Sequence, residues 1–237
     1  IFHHLGGRDG EGRSRSDREA GSRVRLAVRY EEHDRGSLVL DDLSGSYRPL
    51  PDVEEGDLLA LGADFRTGLS ETLTMETGLT LARFEGDGWM EARGAVDWSR
   101  AWLSRDLTAG ARLQAGILSS RSPVQSLYHL GGRQTLPGHP YRGFSGDGYW
   151  LLRASGSWGL AAPWIRPRLL LAAGSTQDLG DRTIAGASIQ PSGTTRLSVG
   201  AGVGLLWDIL RVEVARGIES GDWEWILSVN QEFWPLL

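Results

Sequence analysis

The sequence predicts an all-β protein: an antiparallel up-and-down transmembrane β-barrel with roughly ten to twelve strands present, alone or as part of a barrel of about 16 strands. Three observations predict it. The segment from Leu107 to Ile117 is apolar at every odd position and carries Thr, Gly, Arg, Gln or Gly at every even one. Side chains on a strand point to alternate faces, so this segment has one greasy face and one polar or empty face. The same pattern recurs along nearly the whole chain, in pieces about long enough to cross a bilayer at a tilt. Finally, the chain is 40% hydrophobic with a mean hydropathy of −0.26, and no run approaches the ~18 apolar residues of a membrane helix. Helical spanning is excluded, whereas a barrel hides its signal because half of each strand faces the lumen.

Each element follows from this alternation. Val24, Leu26, Val28 and Tyr30 oppose Arg23, Arg25, Arg29 and Glu31. A weaker candidate covers Leu38 to Tyr47. Leu59, Leu61, Ala63 and Phe65 oppose Gly62, Asp64 and Arg66; Leu73, Met75, Leu79 and Leu81 oppose Thr74, Glu76, Gly78 and Thr80. Met90, Ala92, Val96 and Trp98 oppose Glu91, Arg93 and Asp97. Beyond residue 148, Trp150, Leu152, Ala154 and Trp158 stand against Arg153, Ser155 and Ser157, and Ile165, Leu169, Leu171 and Ala173 against Arg166, Arg168 and Gly174. Leu197 to Trp207, Leu210 to Val214 and Trp223 to Phe233 continue the pattern. The count is roughly eleven strands.

Residues 1–21 are expected to be a flexible N-terminal segment and residues 22–237 the barrel domain. Short breaks at Gly86-Asp87-Gly88, Leu103 to Asp106 and Trp207-Asp208-Ile209 read as turns. Arg48 to Gly56, Arg121 to Gly148 and Asp178 to Thr195 read as loops. Alternation of tight and long connections suits a barrel with short periplasmic turns and large outer loops. An odd strand number does not close an ordinary single-chain bacterial barrel, which favours a fragment of a longer protein. Ten Trp, most near strand ends (Trp89, Trp98, Trp102, Trp150, Trp158, Trp164, Trp207, Trp223), suit interfacial girdles, the alternative being core packing. Many of the 33 Gly fall on the polar face, leaving room inside a barrel. All 25 basic residues are Arg, and a net charge of −5 gives no general nucleic-acid footprint. No Cys means no disulfides and no thiol metal site.

One stretch carries a specific motif: Leu130, Gly131, Gly132, Arg133, then Pro137, Gly138, His139, Pro140, Tyr141, Arg142, Gly143, Phe144. It lies between two clear strands, five strands from the C-terminus. It resembles the loop of the BamA/TamA-like outer-membrane assembly superfamily (bacterial surface antigen family). There, a Gly-Gly pair precedes a Val/Ile-Arg-Gly-Phe/Tyr tetrad and five strands follow. Gly131 and Gly132 match the pair, and Tyr141-Arg142-Gly143-Phe144 matches the tetrad. The resemblance covers about residues 107 to 233 and places the chain in the C-terminal barrel region of that superfamily.

The resemblance implies that stretch 121–148 folds into the lumen, where Arg142 meets inner-wall carboxylates, since a guanidinium in a confined pore needs a planar acceptor. The family commonly has an Asp near the position of Ala172, so Arg142 needs another acceptor, and Asp178, Asp208, Glu213 and Glu224 are the candidates. A solvated surface loop is the plainer alternative. The end of the chain resembles an assembly signal, with Trp225, Leu227, Val229 and Phe233 on one face, although Trp234 to Leu237 extend beyond it. The implied location is the outer membrane of a Gram-negative-type bacterium. The implied role is insertion or translocation of polypeptides through a weakly paired seam between first and last strands, with membrane lipids, unfolded clients and the barrel-assembly machinery as partners. A passive channel, or an anchor for a periplasmic domain, is the alternative function; a soluble β-sandwich, its apolar face buried, is the alternative fold.

No chemistry competes. The five His (His3, His4, His33, His129, His139) form no His-x-x-x-His pair and no cluster with carboxylates at ligand spacing, so neither metal nor cofactor is expected. No Gly-x-Ser-x-Gly elbow occurs, and no enzymatic activity is expected. His-Leu-Gly-Gly-Arg occurs at both 4–8 and 129–133, by duplication or by coincidence in a Gly- and Arg-rich chain.

Overall fold

Alternating segments become strands in chain order. β1 (Arg23–His33), β2 (Gly56–Ser70), β3 (Leu73–Phe84), β4 (Asp87–Trp102) and β5 (Leu107–Leu118) come first. A small pair follows, β6 (Tyr128–Leu130) and β7 (Phe144–Gly146). Then come β8 (Gly148–Trp158), β9 (Ile165–Gln177), β10 (Arg196–Leu205), β11 (Leu210–Gly217) and β12 (Trp223–Val229). The structure, a computed structural model, describes residues 21–33, 54–102, 106–119, 122–161, 164–179, 191–206, 208–219 and 221–229. The weak candidate Leu38 to Tyr47, Trp207, Phe233, the expected flexible residues 1–20 and the first His-Leu-Gly-Gly-Arg copy lie outside them.

Ten strands form one sheet, β1-β2-β3-β4-β5-β8-β9-β10-β11-β12, and each is antiparallel to its neighbour. The fold is all-β, antiparallel and barrel-like. Among the described residues the sheet stays open, with β1 and β12 as its two edges. Connections at 71–72, 103–106, 159–164 and 206–209 share one end of the sheet, here called the turn end. Those at 34–55, 85–86, 119–147, 178–195 and 218–222 share the other, the loop end. Among the described residues, 85–86 is the tight connection at the loop end. Phe84 pairs with Asp87 across Glu85 and Gly86, which have φ of 48° and 98°. Positive φ at both central residues makes the mirror-image hairpin turn whose twist suits the strands, and Gly adopts it without a Cβ clash.

The apolar rows face outward. Leu26 is 75% exposed, Leu169 55% and Trp225 75%, whereas most strand Arg, Arg83, Arg100 and Arg216 apart, lie on the opposite, inner face. A soluble sandwich would bury the first set against itself; the structure leaves it exposed on every strand of the large sheet except β11, where Leu210, Val212 and Val214 are half-buried. Outward Trp side chains gather near the strand ends. Trp98, Trp102, Trp158 and Trp164 lie at the turn end, with Trp98 and Trp102 edge to face at 6.4 Å. Trp150, Trp223 and Trp225 lie toward the loop end. Trp89 is a correction to the girdle assignment. It points inward and is buried with Leu58, Ala60, Ala82, Phe84 and Leu118.

That inner cluster explains runs such as Leu58-Leu59-Ala60-Leu61, where both faces of a strand are apolar. Nearer the turn end the inner face is charged instead. Arg112 bridges Asp97 (2.7 Å) and Glu76 (3.1 Å), Arg66 adds to Glu76 (3.2 Å), and Arg93 meets Asp64 (2.6 Å). Glycine on this face makes the room: a Cβ on Gly78 would sit 2.6 Å from Arg93 Nε and 2.7 Å from Asp64 Oδ1. A second cluster joins Arg168 to Asp208 and Glu213, each at 3.0 Å, with Arg211 also on Asp208 at 2.8 Å.

Candidate functional site

The long connection between β5 and β8 is the unusual part of the inner face. β5 and β8 pair directly, from Leu107 with Trp158 to Ile117 with Gly148, so residues 119–147 leave the sheet and return to the same place. The stretch is more ordered than a plain loop. It holds a 3-10 turn, Val124–Ser126, and the β6–β7 pair, in which Leu130 faces Phe144. Sequence reading missed both strands because three-residue strands are too short to display alternation.

Three attachments fix it to the wall. At its start, Gln125 Nε2 donates to the Glu54 carbonyl (3.1 Å), and the Glu54 backbone N–H donates to Gln125 Oε1 (3.2 Å). Nearby, the Tyr128 hydroxyl donates to Glu91 on β4 (2.9 Å), with its ring 4.3 Å from that of Tyr149. Burial, with the Glu91 carboxylate adding to it, holds the Tyr128 phenol well above its ordinary pKa. The second attachment is an apolar cluster of Leu130 and Leu136 against Leu151 and Ala172, with Phe144 and Tyr149 alongside. There Arg153 Nη1 on β8 donates to the Gln134 carbonyl at 2.7 Å.

The third attachment is a hook at Gly138-His139 that reaches the ends of β10, β11 and β12. Glu224 accepts the Gly138 N–H (2.7 Å), and the Gly138 carbonyl accepts the Asp222 N–H (2.9 Å). His139 is buried, its ring 5.7 Å from Phe144 edge to face, and Nε2 meets the Leu197 carbonyl at 3.1 Å. A carbonyl only accepts, so Nε2 carries the proton. Gly138 has φ of +81°, and a Cβ there would lie 2.7 Å from the Asp222 carbonyl oxygen and 2.8 Å from the Arg216 carbonyl carbon. Only glycine fits this hook.

No protein-family model matches the sequence, and no curated protein matches it either. The fold is similar to that of CdiB from Acinetobacter baumannii. The TM-score is 0.54 at 14% identity, covering 73% of this chain and 32% of that one. At such identity the likeness is one of fold. The chain spans about a third of the length of CdiB.

The motif residues come together around the β6–β7 pair. Gly131 and Gly132 form the turn after β6: the Gly131 N–H donates to Thr135 Oγ1 (2.8 Å), and the Gly132 N–H to the His139 carbonyl (3.1 Å). The Gly143 N–H donates to the Pro140 carbonyl (2.9 Å). Tyr141 and Arg142 are exposed, Arg142 at φ of +50° with its guanidinium 5.5 Å over the Tyr141 ring. Phe144 lies beneath Arg196, whose guanidinium is 5.2 Å from its ring. Of the carboxylates expected for Arg142, Asp208 and Glu213 are held by Arg168, Glu224 takes the Gly138 N–H, and Asp178 stands exposed beyond β9. Trp225, Leu227 and Val229 share the outward face of β12.

Sequence reasoning gave no wall-contact role to Gly138, His139, Arg153, Glu91 or Glu54. A signal for part of it exists in the chain. Leu151-Leu152 and Leu169 to Ala173 are apolar at both parities, and their inward members, Leu151 and Ala172, are the ones the loop covers.

Proposed function

We propose that this chain is the membrane-spanning part of an outer-membrane protein of the BamA/TamA-like kind, which helps insert or translocate polypeptides at the outer membrane of a Gram-negative-type bacterium. One observation carries the reading. The stretch holding the Gly-Gly pair and the Tyr-Arg-Gly-Phe tetrad lies on the inner face of a sheet whose outer face is oily, hooked to the strands that follow it. A lipid-facing outer row and a wetted, charged inner row are what a barrel wall requires. The fold likeness to CdiB agrees with it.

The two edge strands support the client-handling part. β1 and β12 each pair on one side only among the described residues, and unpaired strand backbone is a template for an incoming strand. The activity is non-enzymatic: backbone pairing and a soft boundary with lipid supply the driving force. Unfolded polypeptide and the barrel-assembly machinery are its partners in this reading. Against a passive channel stands the loop, which occupies the inner wall from β4 to β12.

The test is reconstitution. The chain in liposomes should speed the insertion of an unfolded client barrel, measured by the client's heat-modifiable gel migration. Insertion no faster than in empty liposomes overturns the proposal. A chain that stays monomeric in buffer without detergent overturns the membrane placement as well.

A further inference from the structure

Arg216 breaks the rule of the outer face. Outward positions on β11 run Leu210, Val212, Val214 and then Arg216, in register between Val199 of β10 and Trp223 of β12. Its guanidinium lies 5.6 Å from the Trp223 ring. Next to it, toward the middle of the sheet, the outer face has a groove of about 630 Å³. Ala201 and Val214 floor it, and Val199, Ile218 and Trp223 wall it. Ala201 makes the depression, offering a methyl group where Val199 and Val203, on either side along the strand, carry larger side chains. Ile218 and Trp223 stand out from the surface at 52% and 64% exposure.

We propose that this groove seats one acyl chain of a phosphate-bearing lipid of the lipid A class, with a lipid phosphate on Arg216. The inference rests on the membrane reading above, which puts the loop end in the outer leaflet, where such lipids lie. Its chemistry is specific to the spot. The groove is apolar throughout apart from its cationic rim, and its volume lies within the range of ligand sites. A guanidinium offers a planar fork to phosphate oxygens, and an indole beside it sits at the headgroup level. The Glu219 carboxylate in the adjoining turn is taken by Arg196 at 2.9 Å. Elsewhere on the outer face, Arg83 lies at the loop end opposite Leu59 and Gly88, away from this groove, and Arg100 stacks on Trp102 at 5.2 Å at the turn end, in the opposite leaflet.

Native mass spectrometry of the folded full chain tests it, with bisphosphorylated lipid A, dephosphorylated lipid A and phosphatidylglycerol added to separate samples. The wild type should retain one bisphosphorylated lipid A. R216Q, which removes the cation, and A201W, which fills the groove, should each retain it at least about tenfold more weakly, equivalent to ~1.4 kcal/mol. R100Q should retain it as the wild type does. Equal retention by R216Q and wild type, or equal retention of any of the three lipids, overturns the site. Failure of the membrane reading shows separately, as a chain that never enters the bilayer; a chain that folds there without lipid preference sinks the groove alone.

Discussion

Replacing Gly138 by Ala tests whether the hook holds the loop against the wall. The new Cβ meets backbone on two sides, at the Arg216–Gly217 peptide bond and the Asp222 carbonyl, and no side chain can swing away to admit it. The hook must lift. Lifting it breaks the bond from Gly138 to the Glu224 carboxylate, about 1.5–3 kcal/mol for a charged acceptor. It also breaks the Asp222-to-Gly138 and His139-to-Leu197 bonds, about 1 kcal/mol each. The total is about 4 kcal/mol, or roughly a thousandfold in the opening equilibrium. Gly193→Ala is the control: φ there is +67°, but nothing lies within 4 Å of the added methyl, so only backbone strain changes. Amide hydrogen exchange reads the result at the Asp222 and Gly132 N–H groups, both bonded to the hook. Their exchange should quicken by about three orders of magnitude in G138A and stay at the wild-type rate in G193A. Wild-type protection in G138A would show that the hook does not hold the loop, and equal loss in both variants would show that strain rather than fit is responsible.

Arg153→Met removes the wall's hydrogen bond to the Gln134 carbonyl and should weaken loop protection by about fivefold, ~1 kcal/mol, in the same exchange experiment. Arg168→Met strands the Glu213 carboxylate, whose side chain is only 12% exposed, and leaves Asp208 with Arg211 alone. It should cost about 3–5 kcal/mol in denaturant unfolding from detergent micelles; a loss under 1 kcal/mol would mean that water enters the cluster freely. Leu169→Arg, on the outward row, should cost about 2–4 kcal/mol when the chain folds into bilayers. The same substitution should leave stability nearly unchanged if that row faces water.

Alternation is a local property, so strand existence and facing were legible wherever each strand kept one oily row. The turns at 103–106 and 206–209 interrupt that row and could be read for the same reason. Trp89 was misread because an inner position near the loop end looks, in sequence, like a girdle position; its burial comes from Phe84, Leu118 and their neighbours, drawn together by the fold. Loop chemistry was the least legible. The partner of Gly138 lies 86 residues away at Glu224, a distance over which spacing says nothing. Resemblance brought the right stretch to notice through Arg142, but it gave no sign of the wall contacts of Gly138, His139 and the strand residue Arg153. Closure of the wall was also beyond the sequence, since no local pattern records which strands meet at the ends.

In the large sheet, each strand's partners are its nearest neighbours along the chain once the excursion between β5 and β8 is set aside. Hairpins of this kind can zip up one after another with little entropic penalty for closure. Gly138 is made before β10, β11 and β12, yet it docks only on their far ends. A nascent chain therefore carries an unlatched clasp until the β11–β12 hairpin is in place, and the snapping shut of that clasp reports that these three strands have paired.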